Sequence, residues 1–214
     1  DGDERPARFA QLRAELPTPN TYRTASGAPG HEYWQQQVDY VIDVALDDEN
    51  QSISGTERIS YHNNSPDSLR YLWLLVEPNL YGPDAHAVAT SLAPNLDCGA
   101  SFGTIERLLE RQRCDGGATI SNVTTLAGDV LDHTVVNTTM RVDLPEPLAP
   151  GETFQFSLDW TYKINDSDKV GGRTGFEFFE KDGNYLYEMA QWFPRLCSYT
   201  DYAGWQNKEF LGRG

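Results

Sequence analysis

The chain has 214 residues, with 17 Lys and Arg against 32 Asp and Glu, a formal charge of −15, and 39% hydrophobic residues. Such a chain is long and apolar enough to bury its own core as one large β domain or two small ones, which excludes a disordered polypeptide. The charge makes nucleic acid a poor partner and suits cationic ligands, or simply solubility or salt tolerance, and no apolar run approaches the roughly 20 residues of a membrane helix, so no membrane span is expected.

Residues 1–30 are rich in Pro, Gly and Thr and read as a lead-in arm, with one possible helical turn in ARFAQLRAEL. Strand signals then dominate. In QVDYVIDVALD, Val38, Tyr40, Ile42, Val44 and Leu46 share one face and Asp39, Asp43 and Asp47 the other, which is the period of a half-buried strand. DDENQS is a turn. ISGTERISYHN repeats the alternation through Ile53, Ile59 and Tyr61, and NNSPDS is a second turn rich in Asn, Pro and Asp. LRYLWLLV is apolar on both faces and reads as a central strand covered on both sides.

Residues 78–117 break this rhythm and read as an insertion. Within it SFGTIERLLERQR places Ile105, Leu108 and Leu109 at helical spacing, a short amphipathic helix. Strands resume with ATISNVTTLAG and TVVNTTMRVDL, and PEPLAPGE reads as a loop. TFQFSLDWTYKI alternates most strongly, NDSDKVGGRTG reads as a turn, and FEFFE and NYLYEMAQWF are the last strands. The predicted fold is mainly β: saddle-like stacked antiparallel sheets of the β-sandwich type, with one short helix in the insertion, as a single domain over 31–214.

Cys98 and Cys114 bracket the predicted helix. A bridge between them would contribute about 3 kcal/mol through loop closure and imply an oxidising compartment, hence a secreted or periplasmic protein; two free thiols are the alternative. Cys197 is left over as a small buried side chain. Catalytic motifs are missing. HEYWQ begins like the zinc helix HExxH, but Gln35 stands where the second histidine belongs. There is no GxSxG elbow and no phosphate loop, so the chain offers no catalytic residues and no metal ligands of its own.

Two blocks resemble a known family. HEYWQQQVDYVIDVALDDENQSISGTERISYHNNSPDSLRYLWLLVEPN, through Tyr40–Asp47, Gly55–Tyr61, Asn63–Asp67 and Leu69–Leu75, is similar to the opening strands of the N-terminal domain of the aminopeptidase N family of zinc metallopeptidases. GGRTGFEFF and NYLYEMAQWFPRLCSYTDYAGW resemble the segments by which such domains lead into the catalytic domain. The resemblance implies a saddle-like β domain packed on a catalytic domain of the same polypeptide. That second domain would carry the HExxH motif and the zinc of the full-length enzyme; neither is expected in this chain. By position, Gln191 would bind the amino end of a peptide substrate. Glu188, Met189, Trp192 and Phe193 complete the expected substrate-binding set. The family's common pattern has glutamate where Phe193 stands, so that carboxylate is missing here.

Two functions are therefore expected of such a chain. The first is a substrate-recognition and structural domain of a zinc aminopeptidase, inactive by itself. The second is a free-standing β-sandwich module for carbohydrate or protein, with Trp34, Trp73, Trp192 or Trp205 as stacking platforms.

Overall fold

The computed structural model describes residues 19–90, 99, 101–171 and 174–209. The main strands are β1 (Gln37–Asp47), β2 (Ser52–His62), β3 (Leu69–Leu75), β4 (Thr119–Thr125), β5 (His133–Val136), β6 (Thr139–Leu148) and β7 (Thr153–Lys163). Five shorter ones follow: β8 (Thr174–Phe179), β9 (Asn184–Met189), β10 (Arg195–Leu196), β11 (Tyr199–Thr200) and β12 (Gly204–Trp205). One four-stranded sheet runs β1-β2-β7-β4, the other β10-β3-β6-β5, and β8-β9 and β11-β12 form two hairpins. All pairs of these strands are antiparallel. This is the mainly-β, stacked antiparallel architecture predicted from the alternation.

The inner residues of the two sheets meet in one core. Ile53, Ile59 and Tyr61 of β2 and Phe156, Leu158 and Trp160 of β7 join Leu72 and Leu74 of β3 and Met140 and Val142 of β6. Each large apolar side chain sealed here stabilises the fold by roughly 1.5–3 kcal/mol. Gly55 is where the two central strands of the first sheet need space. A Cβ at that position would stand 2.5 Å from the Trp160 ring, so only glycine admits the indole.

Turn chemistry closes the strands. Asp47 accepts the Glu49 and Asn50 amides at 3.1 and 3.0 Å, and Gln51 takes a left-handed φ of 52°. In NNSPD the fully buried Asn63 donates to the Asp67 and Leu148 carbonyls and accepts from Gln36 and from Ser65. One amide therefore ties the entry to β1, the β2–β3 turn and the end of β6.

Several expectations are corrected. PEPL is not a loop: β6 continues through it to Leu148, with the β3 register shifting between Leu69 and Tyr71. Both prolines lie in that irregular stretch, where no ladder N–H is demanded of them. TVVNTTMRVDL is not one strand but β5 and β6 joined by a turn with Asn137 at φ 50°. NDSDKVGGRTG is more than a turn: it holds the helical turn α3 (Ser167–Val170), and β7 and β8 on either side belong to different sheets.

β3 is central, but only one of its faces is sealed; Tyr71 and Trp73 are half-buried. The insertion holds more than one helix. A 3₁₀ turn (Glu77–Tyr81) and a short α1 (His86–Ala89) precede the predicted α2 (Phe102–Arg113), capped by the Ser101 hydroxyl at 3.2 Å. Ile105, Leu108 and Leu109 of α2 remain 39–44% exposed.

Cys98 and the helical turn expected in ARFAQLRAEL lie outside the described residues. Cys114 is a free thiol whose Sγ lies 3.2 Å from Asn165 Oδ1. No described helix is long and apolar enough to cross a membrane.

Candidate functional site

The expected site residues fall along the chain from β9 to β10. β9 ends at Met189, four residues short of the predicted strand, and Gln191 sits beyond it at φ 50°. That left-handed residue reverses the extended run and turns Trp192 and Phe193 back onto the sandwich. Trp192 meets Trp160 edge-on at 5.6 Å and Phe193 at 5.0 Å, and its carbonyl accepts the Tyr162 hydroxyl at 2.9 Å. Phe193 meets Tyr40 edge-on at 5.4 Å, and the Tyr40 hydroxyl accepts the Leu196 N–H at 2.8 Å. Met189, Trp192 and Phe193 thus pack against the core as partly buried side chains, with Gln191 half-buried beside them. Glu188 is not gathered with them. Strand alternation places it, exposed, on the opposite face of β9 from Tyr187 and Met189.

The β8–β9 hairpin carries the aromatics outward. Phe178 and Tyr185 stand 4.9 Å apart on one face, 50% and 42% exposed; Phe179 and Leu186 on the other face are equally open. The Tyr187 hydroxyl ties it to the β1–β2 turn, donating to Gln51 Oε1 at 2.8 Å.

At the start of β1 the same β-scaffold forms a cavity of about 250 Å³, lined by Tyr33, Trp34, Val38, Tyr61, Tyr199 and their neighbours. Trp34 stacks on Tyr199 at 5.9 Å, and Trp205 closes against Tyr199 and Tyr61 at 5.1 and 6.1 Å. Asp201 at the rim is clamped by Arg23, at 2.7 Å from its Nε, and this pairing lowers the Asp201 carboxyl below its usual range. Val38 lines the cavity and Tyr40, two residues on, braces Phe193, so β1 links the two regions.

Burial governs the titratable groups. It pushes the Tyr40 and Tyr199 hydroxyls up to about 12, and the Cys197 thiol likewise to about 12. Cys197 therefore stays protonated at neutral pH and is not a nucleophilic thiolate. Among the described residues no three His, Cys, Asp or Glu side chains converge. The arrangement suits binding by aromatic contact and by a side-chain amide.

Of the expected stacking platforms, Trp34 lines the cavity and Trp205 packs behind its wall residues Tyr61 and Tyr199, and both are engaged by neighbours within the chain. Trp73 lies on the outer face of β3, and Trp192 is a core anchor. For Arg195 the sequence leaves two partners open, Asp201 or a residue of another domain. Instead Arg195 pairs with the buried Glu77, and Asp201 with Arg23. Sequence reasoning missed Tyr33 and Arg23 as cavity residues. Arg23, in the lead-in arm, carried no pattern that would place it, because its contact with Asp201 spans 178 residues.

No family model matches this chain, and no curated protein matches it. Among solved structures, a GH20 exo-β-N-acetylglucosaminidase from Vibrio harveyi, in complex with N-acetylglucosamine, is similar over 76% of this chain at 12% identity and a TM-score of 0.26. The match spans 17% of that protein's length, and a likeness this low bears on neither fold nor ligand.

Proposed function

We propose that this chain is the N-terminal substrate-recognition and structural domain of a zinc-dependent aminopeptidase, which removes N-terminal residues from peptides. In this reading the zinc belongs to the catalytic domain of the same polypeptide, and a secreted or periplasmic setting goes with it. The observation that supports it is the geometry at Gln191. A left-handed turn presents one amide beside Trp192 and Phe193, both braced on the core, next to a hairpin whose Phe178, Phe179 and Tyr185 are about half exposed. The Gln191 carbonyl can accept from a peptide ammonium while the aromatics bound the first side chain. Assay with aminoacyl-anilides tests this. The isolated chain with zinc should cleave nothing, and Gln191→Ala in the whole polypeptide should raise KM about tenfold, the loss of about one charge-assisted hydrogen bond. Zinc-dependent cleavage by the isolated chain would contradict the reading.

The cavity at Trp34 supports a second reading, a free-standing module for carbohydrate or protein. Isothermal titration of the isolated chain with mono- and oligosaccharides separates the two readings: binding that Trp34→Ala removes favours the second.

A further inference from the structure

We propose that the folded domain keeps one proton on Glu57 through the neutral range, and that losing it on the alkaline side loosens the core beneath Tyr40 and the Gln191–Leu196 segment that Tyr40 holds. Glu57 sits in the inward row of β2, in line with Ile53, Ile59 and Tyr61, and is fully buried. The register sets it between Ile42 of β1 and Leu158 of β7. Both carboxyl oxygens are sealed from solvent with no hydrogen-bond partner among the described residues. A carboxylate in that position is cut off from bulk solvent and has no protein donor to replace its hydration, so the neutral acid is the form the core tolerates.

The surroundings offer no compensating charge. Tyr40 faces Glu57 from β1, Tyr61 lies on the same strand, and Tyr162 is the titratable inward residue of β7. The inward residues of the opposed sheet, Leu72 and Leu74 of β3 and Met140 and Val142 of β6, carry none. From the β10 side Arg195 and Cys197 act on Tyr40, and the Arg195 guanidinium is engaged by Glu77. Burial accordingly pushes the Glu57 carboxyl up to about 8 from an ordinary 4.5.

Tyr40 transmits the change. Its hydroxyl holds the Leu196 amide and its ring braces Phe193. Water drawn in to solvate an ionised Glu57 enters beside that ring. Proton occupancy in the core thereby governs how firmly the candidate binding segment is held.

The sign follows from linkage. Between pH 4.5 and about 8 the folded state binds one proton that the unfolded chain has released. The stability this proton supplies is full below 4.5 and is lost as pH rises through about 8. Urea unfolding of the isolated chain, followed by tryptophan fluorescence at steps across this interval, tests the proposal against Glu57→Gln. The ratio of the wild-type folding constant to that of the variant should fall about tenfold per pH unit. A ratio independent of pH overturns the proposal. Should the variant fail to fold, carboxyl ¹³C NMR of the wild-type domain decides. A Glu57 signal still in its protonated position at neutral pH supports the proposal, and an ionised one overturns it. Amide exchange at Leu196 is the local readout: it should accelerate above pH 8 beyond its intrinsic pH dependence, and exchange that tracks the intrinsic rate overturns the link to Tyr40.

Discussion

Two regions of this domain are equally aromatic and end up in opposite states. At the start of β1, Trp34, Tyr61, Tyr199 and Trp205 stack on one another, and Tyr199 donates to Asp67 at 2.8 Å. On the β8–β9 hairpin Phe178, Phe179, Tyr185 and Leu186 pair only across two strands and leave about half their surface to solvent. What separates them is the number of elements that converge. The first region draws on the segment before β1, β2, β11 and β12, while the hairpin is a two-stranded ribbon that reaches the core with Phe176, Tyr187 and Met189 and leaves its far end open. A ribbon of that kind is marginal in water unless something packs on it. Aromatic composition therefore does not distinguish a core from a docking face; topology does.

Three variants sharpen this contrast. Trp205→Ala should cost the most, about 2–4 kcal/mol, because it opens the stack against Tyr61 and Tyr199; denaturant midpoints measure it. Asn63→Ala should cost about 1–3 kcal/mol, since it leaves the Leu148 carbonyl and the Ser65 hydroxyl without their partner in a buried site. Phe178→Ser with Tyr185→Ser should change stability least, by less than about 1 kcal/mol, while reducing the binding of a hydrophobic dye to the folded domain. If the hairpin pair cost as much as Trp205→Ala, the contrast between the regions would fail.

The long strands were legible because their alternation extends over many residues. β1, β2 and β7 begin and end close to where the period-two pattern does. The passage of β6 through Pro145 and Pro147 was not legible, since proline forbids a regular ladder and only the register shift against β3 makes room. The end of β9 was hidden for a related reason: a left-handed φ at a glutamine leaves no compositional mark. NNSPD was recognisable as a motif, whereas its physical role, one buried amide joining distant segments, required the fold. Glu57 shares the parity of Ile53, Ile59 and Tyr61, but the sequence reading passed over it, since an acid in an apolar row reads as an interruption until the fold shows it buried. Of the expected site, Met189, Gln191, Trp192 and Phe193 stay together because they adjoin in sequence across a turn, and Glu188 departs because neighbouring strand positions face opposite ways.

Hydrogen exchange of the isolated chain, compared with the same residues in a polypeptide that includes the HExxH domain, tests the central claim most directly. The account predicts new protection along Thr174–Phe179, Asn184–Met189 and the Gln191–Phe193 turn, with Tyr199–Thr200 and Gly204–Trp205 unchanged. Protection that bypasses the hairpin, or that gathers instead at the Trp34 cavity, would contradict it.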